Sequence, residues 1–199
     1  MGQEENFRFP ELTVPDGCIY VSANILEPGV ILRHGKILRV VFGARKPEEE
    51  TEKMREIAKD MACENIEVIL SEDIRRDAMV KFSYVSPIGV AGLYCNATAA
   101  DFQKDGEARE MFKALITEIV ALSHAVGIEF QEDLEERNLK IVAPLAPEAT
   151  TSMQRDVYAG KKSEIDGLVY EIVRLGKEYG VPLPEYEKAA ARFHEQGLK

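Results

Sequence analysis

Between residues 17 and 43 the apolar positions come in short runs broken by turn residues, and beyond residue 71 they recur at helical spacing. The runs Cys18-Ile19-Tyr20-Val21, Gly29-Val30-Ile31-Leu32-Arg33 and Ile37-Leu38-Arg39-Val40-Val41-Phe42-Gly43 read as strands. Pro28-Gly29 and His34-Gly35 are turn signals between them, so the pattern predicts an antiparallel meander. Pro47 and the acidic run Glu48-Glu49-Glu50 then open a helix predicted to end near Ala62, with Met54, Ile57, Ala58 and Met61 as its apolar stripe. Residues 66–70 predict a fourth strand.

From Ser71 onward every periodic segment is helical. Ser71 is the expected cap of a long helix whose first turn is Glu72-Asp73. That helix runs toward residue 99 with a kink at Pro87, because a proline cannot donate to the carbonyl of Ser83. Further helices are predicted over residues 107–126, stopped by Gly127, over Leu134–Val142, over residues 151–160 and over residues 184–196. Another is opened by what reads as a capping box, Ser163-Glu164-Ile165-Asp166, and ends at Gly180. The change of period places one boundary near residue 73. Residues 1–73 form a β-containing piece and residues 74–199 an all-helical domain, giving an α+β fold class.

Composition adds exclusions rather than a function. The 199 residues carry 25 Lys plus Arg against 35 Asp plus Glu, a net charge of −10, which argues against nucleic acid or an anionic membrane as the main partner. The three cysteines, Cys18, Cys63 and Cys95, are far apart and odd in number, the pattern of a reducing, cytoplasmic compartment. Met1 to Pro10 is polar and acidic and reads as no signal peptide. The longest uncharged run, residues 82–100, is interrupted by Ser83, Ser86, Pro87, Asn96 and Thr98 and fits a buried helix better than a membrane span. No Gly-x-Gly-x-x-Gly, no phosphate-binding Gly-x-x-x-x-Gly-Lys-Ser/Thr, no Gly-x-Ser-x-Gly and no zinc-type Cys/His spacing occurs, so no metal site is expected.

Lys81 is the one charged side chain between Asp77 and Asp101. An unpaired ammonium is costly to bury, so Lys81 either pairs with a carboxylate or lines a cleft; the alternative is a lysine that snorkels to the surface. Glu164 stands at a helix start, where a plain dipole-facing carboxylate is the simpler reading. Ser152 follows Thr150-Thr151 and reads equally as a first-turn residue. Gly89 and Gly92 most simply permit close helix packing.

Together these residues form a recognisable order. Ser152-Met153, Asp156, Gly160, Glu164-Ile165-Asp166-Gly167, Gly176 and Gly180-Val181-Pro182-Leu183-Pro184 resemble the C-terminal signature of the ketopantoate (2-dehydropantoate) reductase family. Ile74-Arg75 with Lys81-Phe82 resembles its catalytic-lysine helix. Tyr20-Val21-Ser22-Ala23, Glu27-Pro28-Gly29-Val30, His34-Gly35 and Phe42-Gly43 resemble the strands that close its nucleotide-binding domain. The resemblance implies a helical domain like the C-terminal domain of 6-phosphogluconate dehydrogenase, preceded by the β-rich remnant of a Rossmann-type domain. It also implies reduction of a small-molecule 2-oxo acid by NADPH. Lys81 is then the general acid and Glu164 the carboxylate that contacts substrate or cofactor, while the Ser152 hydroxyl binds the substrate carboxylate. A homodimer through the helical domain fits the same resemblance. Where the family commonly carries substrate-binding asparagines, one and two turns after the lysine, this chain has Val85 and Gly89. A non-catalytic helical interaction module derived from such a reductase is the other reading.

Overall fold

The computed structural model describes residues 14–199; the acidic segment Met1 to Pro10 read above lies outside them. The chain divides into two compact units, the first ending at Ala78 and the second running Met79–Lys199. The first holds strands β1 (Asp16–Glu27), β2 (Val30–Gly43) and β3 (Glu67–Leu70) and helix α1 (Glu52–Met61). β1 and β2 pair antiparallel, and β2 pairs parallel with β3 through the crossover that carries α1.

One hairpin replaces the expected meander. The turn predicted at His34-Gly35 is absorbed into β2 as an irregularity: opposite Val21 stands Leu38, but opposite Ala23 stands Arg33. Gly35, with φ +79, lies within that bulge, so a sequence that reads as a turn serves to bend a continuous strand. The long helix α2 (Ile74–Cys95) starts later than predicted. Asp73, not Ser71, takes the capping role, its carboxylate accepting from the Arg76 N–H at 3.0 Å, while the Ser71 hydroxyl donates to Asp77 at 2.6 Å.

The second unit continues α2 and adds α3 (Ala99–Phe102), α4 (Glu107–Ala125), α5 (Leu134–Val142) and α6 (Ser152–Tyr158). A π-helical turn (Asp166–Tyr170) then leads into α7 (Glu171–Tyr179), and α8 (Pro184–Glu195) closes the chain. The apolar stripe of α4 is the centre of the core: Phe112, Leu115 and Ile119 are fully buried against Val169, Tyr186 and Phe193. Among the described residues no helix is long and apolar enough to cross a membrane, and Cys18, Cys63 and Cys95 form no disulfide.

Candidate active site

Helix α2 organises the site. Lys81 is half-buried about two turns from its start. Two turns further on, Pro87 removes the N–H that would bond the Ser83 carbonyl. The side-chain amide of Asn138, wholly buried on α5, takes that place: its Nδ2 donates to the Ser83 carbonyl at 2.9 Å and to Ser83 Oγ at 3.1 Å. The Ser83 hydroxyl donates in turn to the Val80 carbonyl at 2.8 Å.

Immediately before Pro87, Ser86 is also fully buried. Its hydroxyl lies 2.6 Å from the Leu168 carbonyl and 2.6 Å from the Tyr186 hydroxyl. A carbonyl can only accept, so the Ser86 proton goes to Leu168 and the Tyr186 O–H donates to Ser86. Leu168 lies in the π turn, and its N–H bonds the Glu164 carbonyl at 2.9 Å. Glu164 therefore stands one turn before the residue that α2 anchors. No side-chain cap opens this helix, so the capping box expected at Ser163 is not formed; a π turn stands there instead. Such turns change the direction of side chains over a few residues and recur at functional sites.

The third anchor uses the two glycines. A Cβ on Gly89 would lie 2.9 Å from the Met153 methyl, and one on Gly92 only 2.6 Å from Gln154 Oε1. Their hydrogens alone let α6 lie against α2. Gln154 then locks the contact, donating to the Ala97 carbonyl at 2.8 Å and accepting from the Thr151 N–H at 3.0 Å. Ser152 is the exposed first residue of α6, and Thr151 is its cap.

Residues 81, 85 and 89 share one side of α2, so α6 docks on the side that carries Lys81, about 12 Å further along the axis. Between Lys81 and that contact, α2 carries the half-buried Val85. The anchor near Glu164 is rotated roughly 140° from Lys81 around the helix, and the Glu164 side chain is exposed. Lys81 thus shares its helix side with the docking of α6, while Glu164 is tied to α2 through a different side. A buried carboxylate supports this arrangement from α4: Glu118 accepts from the Glu185 and Tyr186 N–H groups at 2.8 and 3.0 Å, holding the start of α8 and hence Tyr186.

The two strand-to-helix connections, residues 44–51 and 71–73, contain no glycine and carry Arg45 and Lys46 beside Glu48, Glu49, Glu50, Glu72 and Asp73. Among the described residues no group of three or more His, Cys, Asp or Glu is placed to hold a metal ion.

Residues 73–196, more than half of the chain, match the family described as ketopantoate reductase PanE/ApbA C terminal. The chain belongs to the ketopantoate reductase family. A 2-dehydropantoate 2-reductase of Mesorhizobium japonicum is 25% identical over 173 residues, 87% of this chain and 52% of that protein. The chain spans about half the length of the curated relatives it matches. Among solved structures, the 2-dehydropantoate 2-reductase of Methylococcus capsulatus aligns with a TM-score of 0.86 at 22% identity, over 100% of this chain and 63% of its own. D-mandelate dehydrogenase in its ternary structure with NADH and anilino(oxo)acetate aligns at 0.83 and 18% identity, over 98% of this chain and 64% of its own. These likenesses establish the fold: an α+β chain with a mainly helical C-terminal part. The sequence reading missed the buried hydrogen bonds of Asn138, Ser86 and Tyr186. The available signal was polarity out of place, since Asn138 falls between Leu134 and Val142 on one side of α5.

Proposed function

We propose that this chain is the substrate-binding part of an NADPH-dependent reductase that converts 2-dehydropantoate, or a similar 2-oxo acid, to the 2-hydroxy acid. In that reaction a hydride reaches the keto carbon and the carbonyl oxygen becomes an alkoxide that must be protonated. Lys81 serves as the cation and general acid beside that oxygen, where a fixed positive charge in a water-poor cleft is worth more than in bulk solvent. Ser152 donates to the substrate carboxylate. Glu164 accepts from the substrate hydroxyl or the cofactor. The reduced nicotinamide supplies the hydride, and its phosphates are held by groups outside this chain.

The observation that supports this reading is that Met153 and Gln154 of α6 stand against Gly89 and Gly92 of α2, on the side of the helix where its spacing also puts Lys81. The test is NADPH consumption with 2-dehydropantoate by a chimera. In it, the part of the Mesorhizobium reductase with no counterpart here precedes this chain. Turnover that falls at least a hundredfold with Lys81→Ala supports the assignment; unchanged turnover ends it.

The helical interaction module is favoured by one observation: the Met153 methyl already fills the space a side chain at residue 89 would need. A chimera that binds NADPH, folds, and turns over no 2-oxo acid decides for that reading.

A further inference from the structure

We infer that Asn138 is a positioning residue for Lys81: by bonding the Ser83 carbonyl that Pro87 leaves without a helical donor, it fixes the turn of α2 from which Lys81 leaves and so the direction of that side chain. The inference rests on the role given to Lys81 above.

Lys81 lies inside the segment that Asn138 ties down. The amide of Asn138 bonds both polar atoms of Ser83, at 2.9 and 3.1 Å, and Ser83 Oγ passes the contact back to the Val80 carbonyl at 2.8 Å. Val80 and Ser83 bracket Lys81 in the chain. Immediately before the proline, Ser86 is held by Leu168 and Tyr186. The stretch between Lys81 and Pro87 therefore has two buried polar anchors, and the one nearer the lysine is Asn138 on Ser83.

The rest of the Asn138 amide argues that filling a gap is not its whole purpose. Its Oδ1 is buried with no partner. An intramolecular hydrogen bond adds less to stability than an unpaired buried acceptor removes. A straight helix with an ordinary residue at position 87 would satisfy Ser83 without any asparagine, and a leucine at position 138 would fill the space without an orphan oxygen. What Asn138 adds is a tie from a second helix to the turn of α2 that carries Lys81.

The test uses the 199-residue chain with Asn138→Leu, Pro87→Ala and the double variant. Melting temperature is read beside the affinity for 2-dehydropantoate by titration calorimetry and the chemical shift of the Lys81 ε-carbon. Asn138→Leu alone should melt lower and bind at least tenfold more weakly. Pro87→Ala alone should keep affinity within about threefold, since Asn138 still holds Ser83. In the double variant the backbone N–H restored at position 87 satisfies Ser83 from within the helix, so the melting temperature should return to that of the parent or exceed it. Affinity should remain at least tenfold down, with the Lys81 shift displaced. Recovery of affinity together with stability would show that Asn138 only fills a gap, and would overturn the inference. So would a loss in Pro87→Ala equal to that of the double variant, or a neutral Asn138→Leu. A parent chain that binds no 2-oxo acid removes the role of Lys81 itself, and the inference with it.

Discussion

The Ser86 hydroxyl donates to the Leu168 carbonyl at 2.6 Å, joining α2 to the π turn that follows Glu164. Ser86→Ala removes the side-chain donor to that buried carbonyl and the acceptor of the buried Tyr186 hydroxyl. Tyr186→Phe removes one donor and leaves the bond to Leu168 intact. Ser86→Ala should therefore cost about 2 to 4 kcal/mol and Tyr186→Phe about 1 kcal/mol. Combining the two should recover part of the larger loss, as urea denaturation of the three variants would show.

The two glycines of α2 should respond differently to alanine. At Gly89 the obstruction is the end of a flexible methionine, which can move aside, and alanine gains up to about 1 kcal/mol of helix propensity over glycine. Gly89→Ala should thus be within about 1 kcal/mol of the parent. At Gly92 the obstruction is the Gln154 amide, fixed at both ends by the Thr151 N–H and the Ala97 carbonyl. Gly92→Ala should cost about 1 to 3 kcal/mol and loosen α6, seen as faster amide exchange at residues 151–158.

Stability should fall with rising pH through one identifiable group. Burial pushes the Glu118 carboxyl above its ordinary 4.5, and the charges of Glu185 and Glu187 add to the rise; the two N–H donors at the start of α8 pull the other way and do not cancel it. The folded chain then binds more protons at Glu118 than the unfolded chain does. Its contribution is complete below pH 4.5 and is lost as pH rises through the folded value. Glu118→Gln keeps one acceptor for the two N–H groups and should cost about 1 kcal/mol at low pH. The difference between the variant and the parent should shrink as the pH is raised, measured by urea midpoints at successive pH values.

Much of this was legible in the sequence because it depends on local rules. The helix Leu134–Val142 has the bounds its apolar spacing predicts, and the Ser83 carbonyl left without a helical donor follows from the missing N–H of Pro87. What local pattern does not contain is which group answers a lost donor. Asn138 is 55 residues from Ser83, and nothing near Pro87 points to it. The π turn was hidden for a related reason: Ser163-Glu164-Ile165-Asp166 satisfies a capping rule, yet the pull of Ser86 on Leu168, 82 residues away, accompanies a different backbone there. His34-Gly35 shows the converse, a local turn signal overruled by strand pairing that continues past it. Lys81 could be singled out by its isolation and Ser152 and Glu164 by resemblance. That α6 docks on the Lys81 side of α2 is visible only once Met153 and Gln154 are seen against Gly89 and Gly92.

The most direct measurement is a titration of 2-dehydropantoate into this chain labelled at lysine ε-carbons. The resonance of Lys81 should move saturably with the 2-oxo acid. The movement should vanish in Lys81→Ala, and affinity should drop at least tenfold in Ser152→Ala, while Lys162 and Lys177 stay where they are. A Lys81 resonance indifferent to the 2-oxo acid, or one that moves no more than those of the exposed lysines, would contradict the assignment of a 2-oxo acid site to this helix.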